Sequence, residues 1–276
     1  MKVAVVGHVE WIRFCRVDRM PGAGDIAHSV EDWEQAGGGG GVAALQLARL
    51  AGEAMLFTSL GDDELGRRSR EELELRGVRV FSTPVREPQR WAFTHVDETG
   101  ERTITTVGRK LRPRGNDDSL PWHELRDADA VFFVAGDGDA LRRARSARVL
   151  TATTRELAVL RRTAVELDAL IGSGKDDAER YHPGDLEPQP ALVVTTSGAL
   201  GGWSQPGGPY SAASPPGPVE DAYGAGDCFA AGLTYALAAG EGAGEAIAFA
   251  ARCGAAALIA RGVAPQSVEL HAGQDA

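Results

Sequence analysis

Apolar positions along this chain fall into short continuous runs, separated by longer segments of helical character. Lys2 to Val6 is the first run and stops at Gly7, which predicts a strand buried on both faces. Gly37 to Gly41 opens into Val42 to Leu50, a helix by pattern and propensity that Gly52 closes. Met55 to Ser59 and Val78 to Phe81 predict strands on either side of an Arg/Glu-rich helix ending near Gly77. The alternation resumes at 130. Strands are expected at Ala130 to Ala135, Val149 to Ala152, Leu167 to Ile171 and Leu192 to Thr196, with helices at Leu141 to Ala147 and Leu157 to Arg162. Pro and Gly crowd residues 205 to 218, which predicts a loop. Two Ala-rich helices follow, over roughly Asp227 to Ala239 and Gly244 to Ala260.

Strands alternating with helices imply a mostly parallel sheet covered on both faces, an α/β/α sandwich. Two segments depart from that rhythm. Residues 91–107 alternate apolar and polar positions around Asp97-Glu98-Thr99-Gly100, which predicts a β-hairpin. Residues 8–35 are polar and aromatic, with turn chemistry at Pro21 to Gly24. A small β lid, built from segments roughly 8–36 and 88–108, over one α/β domain spanning 1–276 is the economical arrangement. No composition break divides the chain, and no repeat is visible.

The chain has 276 residues and a formal net charge of -10, with 43% hydrophobic and 25% charged residues. These are globular values and argue against extended disorder. The acidic balance argues against nucleic acid as a partner but not against phosphates, which backbone amides and a metal can hold. No apolar run approaches the length of a membrane helix, and the run before Gly7 is too short for a secretory signal. The three cysteines (Cys15, Cys228, Cys253) are scattered and form neither a disulfide framework nor a CxxC pair, so a reducing, cytoplasmic setting is expected. Lysine occurs only at Lys2, Lys110 and Lys175, and arginine carries the rest of the positive charge.

The segment with the most chemistry is Asp221-Ala222-Tyr223-Gly224-Ala225-Gly226-Asp227, running straight into Cys228-Phe229-Ala230-Ala231-Gly232-Leu233. Small residues let backbone approach a ligand, and a helix start presents unpaired N–H groups with a partial positive charge. Such a place suits a phosphate, or the charge that develops during phosphoryl transfer. An aspartate at a helix start is also an ordinary N-cap, and both readings stand at this point.

With those residues in hand, the chain resembles the ribokinase-like (PfkB-type) carbohydrate kinase family. DAYGAGD at 221–227 matches the family signature D-T-x-G-A-G-D, and GGGGGVAALQLARLAG at 37–52 matches its Gly-Gly segment entering a helix. MPGAGD at 20–25, SLGDDELG at 59–66, GERTI at 100–104, VTTSGALGG at 194–202 and ARGVAPQSV at 260–268 fall in the family's order. The resemblance implies the ribokinase-like three-layer fold and ATP-dependent phosphotransfer to an alcohol of a small sugar or nucleoside-like substrate. It implies Asp227 as general base, with the amides of Gly224, Ala225 and Gly226 as anion hole. It also implies Thr196, Gly198, Gly201 and Ala257 on the nucleotide side, and Gly38 and Gly39 against the acceptor. Asp221 matches a family position near a monovalent cation such as K+.

The chain also departs from the family. Where an aspartate usually binds sugar hydroxyls stands Ile12, and where an asparagine usually touches substrate stands Val42. Glu10, Trp11, Asp18 and Asp25 are alternative polar contacts. The N-x-x-E motif that organises Mg2+ becomes Ser173-Gly174-Lys175-Asp176, leaving Asp176 or Asp177 for the role. These losses give weight to a rival reading, a kinase-fold binder of metabolites or nucleotides with little turnover. Asp227 opposes that reading, since a binder needs no base there. An NAD-dependent oxidoreductase is disfavoured because the first strand's turn lacks GxGxxG, and no Walker A sequence occurs. His8, His28, His95, His123, His182 and His271 lack metal-ligand spacing and are assigned surface or lid roles. Trp11, Trp33 and Trp91 are expected to pack the lid or an interface, or to stack on a substrate ring. Cys228 is read as a packing residue, and an open lid edge invites pairing into a homodimer.

Overall fold

The computed structural model describes residues 1–270; His271 lies outside them. Strands β1 (Val3–Val6), β4 (Ala54–Gly61) and β8 (Ala130–Phe133) are buried at every position, as expected of central parallel strands. With β5 (Val78–Val85), β9 (Val149–Thr153), β10 (Ala169–Ser173) and β11 (Val193–Thr196) they form the parallel part of the main sheet. Two antiparallel strands, β12 (Gly202–Gln205) and β13 (Gly208–Tyr210), extend one edge. The nine strands run in the order β13-β12-β11-β10-β9-β8-β1-β4-β5.

Alternate residues of each strand feed two separate cores. Val3, Val5, Leu56, Phe132 and Val194 pack with helices α1 (Gly38–Ala51), α2 (Glu64–Leu75), α5 (Ala225–Ala238) and α6 (Ala243–Ala257). Ala4, Val6, Phe57, Val131, Phe133 and Leu170 pack on the other face with α3 (Gly138–Ala144) and α4 (Leu157–Thr163). The result is the expected three-layer α/β/α sandwich. Helix α2 buries only Gly66, Ser69 and Leu73, one stripe at helical spacing, and Asp63 caps its start by accepting from Gly66 N.

A second sheet of four strands has the order β3-β2-β6-β7. Its members are β2 (Glu10–Arg16), β3 (Glu31–Gly37), β6 (Trp91–Val96) and β7 (Arg102–Val107). They lie within the segments expected for the lid. Ile12, Phe14, Ala92 and Val96 join the larger core, while every residue of β7 is exposed.

Residues 8–35, expected in the lid, hold β2 and most of β3; Arg13, Asp32 and Glu34 are exposed there while Trp11, Ile12 and Phe14 are buried. Two local expectations need correction. The helix expected over Val42 to Leu50 starts earlier: β3 ends at Gly37, and α1 begins at Gly38. The region 205–218 is not all loop, since Gly208–Tyr210 pairs back on β12 and completes a tight hairpin. The tryptophans pack: Trp33 stacks on Phe14 with centroids 4.8 Å apart, Trp11 is buried beneath the Arg68 guanidinium, and Arg13 lies over Trp91. Cys228 is buried, and burial drives its thiol pKa well up.

Candidate active site

The parallel strands end on one side of the main sheet, and the ends of helices α1 and α5 meet there. At the end of β1 the chain passes through Gly7 and His8, and Gly40 N donates to the His8 carbonyl at 3.1 Å. This fixes the start of α1 against the sheet. Helix α5 starts at Ala225 after Gly224, whose φ is +75°, and no side chain caps it. Its first N–H groups therefore have no intrahelical partner. Nothing stands within 4 Å of the place where a side chain on Gly226 would begin, so that face of the turn is open.

Asp227 lies in this first turn, partly exposed. A Cβ placed on Gly39 would be 3.1 Å from Asp227 Oδ1, 3.1 Å from Val134 Cγ1 and 3.6 Å from His8 Cε1. Glycine is what lets α1 come this close to the carboxylate. Burial pushes the Asp227 pKa up to about 6; Arg102 and Arg155 oppose the rise, while Glu179 and Glu10 add to it. Arg102 comes from β7, where its guanidinium donates to the Ala222 carbonyl at 2.7 Å. Ala222 N in turn donates to the Gly100 carbonyl at 3.0 Å, so the hairpin tip is bonded to the segment before α5.

Asp221 is fully buried and accepts from Tyr223 N at 2.7 Å and Gly262 N at 2.9 Å, tying this segment to the chain beyond α6. Burial raises its pKa despite both bonds. The Tyr223 hydroxyl accepts from Gly38 N at 3.0 Å. Ile12 has no exposed surface and lies against Gly37, and Val42 meets Gly224. The two apolar replacements thus close the floor beneath the glycine segment. Glu10 is buried beside Gly38, 2.6 Å from Arg90 Nε.

The residues expected on the nucleotide side lie at the end of β11, in the turn after it and at the end of α6. Thr196 ends β11, and Gly198 and Gly201 turn the chain into β12, with φ of +62° and +87°. Gly174 N donates to the Thr196 carbonyl, and the Lys175 ammonium lies against Gly198. Asp176 caps Ala178 N at 2.9 Å and pairs with Arg155 at 3.0 Å. Glu179, buried, accepts from Ser173 N at 2.9 Å and also pairs with Arg155. Asp177 points away to Arg180 and is exposed. Ala257 is the buried last residue of α6. Among the described residues no cluster of three metal-ligating side chains occurs. Mg2+ carried by nucleotide phosphates asks a protein for only one or two carboxylates, and the Asp176–Glu179 pair fits that demand.

His8 corrects the sequence reading. It is not a surface or lid residue but a buried one at the site, its pKa lowered chiefly by burial although Glu10 opposes this. Arg90, Lys110, Arg112, Glu156, Arg155 and Glu179 were not singled out from sequence. One signal pointed to Lys110 and Lys175. In a chain that otherwise uses arginine, two of the three lysines stand at this site; the third, Lys2, pairs with Glu124 elsewhere.

An uncapped helix start, a raised carboxylate facing a glycine segment, and a rim of glycine turns define a phosphotransferase of the sugar- and nucleoside-kinase class. The chain belongs to the pfkB family of carbohydrate kinases, whose profile it matches over residues 1–151 and 133–269. It is an enzyme that transfers phosphate from ATP to a small-molecule sugar. Among curated proteins, an ATP-dependent ribose-1-phosphate kinase of Halopiger xanaduensis is 30% identical over 291 residues, covering 92% of this chain and 91% of that protein. Among solved structures, the Arabidopsis thaliana ribokinase complexed with ribose and ATP has a TM-score of 0.70 at 19% identity, covering 95% of this chain and 93% of that one. The adenosine kinase of Sinorhizobium meliloti has a TM-score of 0.76 at 18% identity, covering 98% and 97%. The two structures share the fold. Among the described residues no helix is long and apolar enough to cross a membrane.

Proposed function

We propose that Asp227 is the general base that takes the proton from an acceptor hydroxyl as the γ-phosphate of ATP moves in line onto that oxygen. The observation that carries this reading is the Asp227 carboxylate facing Gly39 at an uncapped helix start, with its pKa pushed up to about 6. A base with a pKa just below neutrality is both ionised at neutral pH and able to hold a proton. At this uncapped helix start the amides of Gly224, Ala225 and Gly226 serve as donors to the charge that develops on the transferring group. The partial exposure of Asp227 favours catalysis over the pure-binder reading, because a structural carboxylate at this cost would be capped or paired.

Thr196, Gly198, Gly201 and Ala257 line the nucleotide side, with Lys175 beside the turn. Asp176 and Glu179 would hold Mg2+ through its waters, and the ion neutralises charge on the β- and γ-phosphates. The burial of Asp221, which raises its pKa despite two backbone hydrogen bonds, supports a monovalent cation such as K+ near that loop. The acceptor sits against Gly38 and Gly39, over a floor of Ile12 and Val42 and beside Glu10. The haloarchaeal relative supports ribose 1-phosphate as the first acceptor to try. The free cysteines fit a cytoplasmic enzyme, and the exposed β7 edge is the surface for pairing with a second copy.

The test is Asp227→Asn. ATP affinity should stay near normal while turnover falls ~10²–10⁴-fold. Wild-type turnover in the purified variant would overturn the assignment.

A further inference from the structure

Beside Asp227 stands a group of charges that phosphoryl transfer does not itself require. Arg90 meets Glu10 through Nε at 2.6 Å, and its two Nη groups make no hydrogen bond among the described residues. Arg112 closes an ion pair with Glu156, a carboxylate almost wholly buried. Lys110 approaches the other oxygen of Glu156 only to 3.8 Å, too far for a hydrogen bond, and makes none to any other described residue. The Lys110 ammonium and the Arg90 Nη groups are thus left without a hydrogen-bonded carboxylate. The Lys110 ammonium is only 22% exposed, and its charge acts on both His8 and Glu10. His8 lies by the same point of Gly39 as Asp227, which brings this group of charges next to the base.

Arg90 and Arg112 repel the Lys110 ammonium, and burial strips that ammonium of much of its water. A missing anion resolves the imbalance. Arg90 offers a planar fork of donors and Lys110 a point charge, a pairing suited to a phosphate with several free oxygens. His8 Nδ1 is buried and without a hydrogen-bond partner among the described residues. With Nε2 facing Glu10 at 3.5 Å, Nδ1 is the acceptor nitrogen, the polarity that a sugar hydroxyl satisfies. The chain therefore has one acceptor and two cations to offer where Ile12 and Val42 replace hydroxyl-binding side chains.

We propose that Lys110 and Arg90 form the seat for a phosphate monoester carried by the acceptor, so that this enzyme selects a sugar by its charge and takes a second phosphate onto it. The proposal rests on the kinase reading above and names the residues that set its substrate class. Neutral sugars lack the one feature the seat rewards.

The test compares ribose, ribose 1-phosphate, ribose 5-phosphate and the sugar acid ribonate as acceptors for the wild type, Lys110→Met and Lys110→Arg. A second readout is the thermal shift each compound gives beside a non-hydrolysable ATP analogue, which needs no turnover. One phosphate ester should exceed ribose in kcat/KM by about 100-fold. Lys110→Met should raise its KM about 10- to 100-fold, well beyond any change it makes to the KM for ribose, and Lys110→Arg should recover most of the loss. The melting temperature of each unliganded variant separates a folding defect from a binding defect. Equal use of ribose, an equal loss for charged and neutral acceptors, or a preference for ribonate would overturn the phosphate seat while leaving the kinase reading intact. Stabilisation of wild type but not Lys110→Met by a phosphate ester, with no turnover on any acceptor, would keep the seat and overturn the kinase reading. No stabilisation and no turnover with any phosphate ester would overturn the seat.

Discussion

Gly39 and Asp227 sit so close that a methyl group on the glycine would stand 3.1 Å from the carboxylate oxygen. A second surface, Val134 Cγ1, is equally near, so the new group has nowhere to retreat. Gly39→Ala should therefore displace either the start of α1 or the Asp227 side chain. Misplacing a reacting group by even 1 Å can cost about 100-fold in rate. The expected result is a drop in kcat of that order with little change in ATP affinity, read from steady-state kinetics and nucleotide titration.

The pH dependence follows from Asp227. Its pKa is raised to about 6 by burial, so the base is ionised above that value and protonated below it. Turnover should be flat near neutrality and fall tenfold per pH unit below about 6. Stability has the opposite sign. The folded state binds this proton more tightly than the unfolded chain does, so the group costs stability as pH rises from the ordinary value, 3.8, through about 6. Asp227→Asn should thus melt higher than wild type at pH 8, and the gain should shrink towards pH 4. A gain that is constant with pH would contradict the assigned cause.

Gly224 and Val42 form a testable pair. A Cβ on Gly224 would lie 2.9 Å from Val42 Cγ1, at a backbone φ of +75° that costs an L-residue ~1–2 kcal/mol. Gly224→Ala should lose both stability and turnover. Adding Val42→Ala removes the collision but not the backbone strain, so part of the loss should return. Denaturant melts of the four-member cycle should show a coupling of ~0.5–3 kcal/mol.

Asp221 holds two backbone N–H groups that are otherwise buried without acceptors. Asp221→Ala should leave both unsatisfied, at ~1–3 kcal/mol each, less the cost of burying the carboxylate itself. Asp221→Asn keeps one accepting oxygen and should lose less. Thermal melts at pH 7.5 read both variants, and the alanine form should fall by several degrees.

The layered fold was legible because its strands are short unbroken apolar runs and its helices carry clear stops at Gly52, Gly77 and Gly240. The small sheet was half legible. The β6–β7 hairpin alternates cleanly around a Gly turn, but β3 reads Glu-Asp-Trp-Glu-Gln and buries only its last residues, so periodicity alone does not mark it. The glycine run misled for a physical reason: glycine disfavours helix in general, yet here the close approach to His8 and Asp227 outweighs that preference. The base and its amides were readable as one contiguous motif. The charges around Lys110 were not, because Glu10, Arg90, Lys110 and Glu156 come from four separate segments and converge only in the folded chain.

Ala222 has both its backbone groups engaged by the β6–β7 hairpin, one with Gly100 and one with Arg102. The small sheet's tip can lift only by releasing this clasp, and lifting it withdraws the Arg102 charge from Asp227. Lifting also admits water to the carboxylate and eases the burial that raises its pKa most, so the proton affinity of the base is tied to the clasp. The bonds at Ala222 therefore couple the seating of the hairpin to the setting of the base.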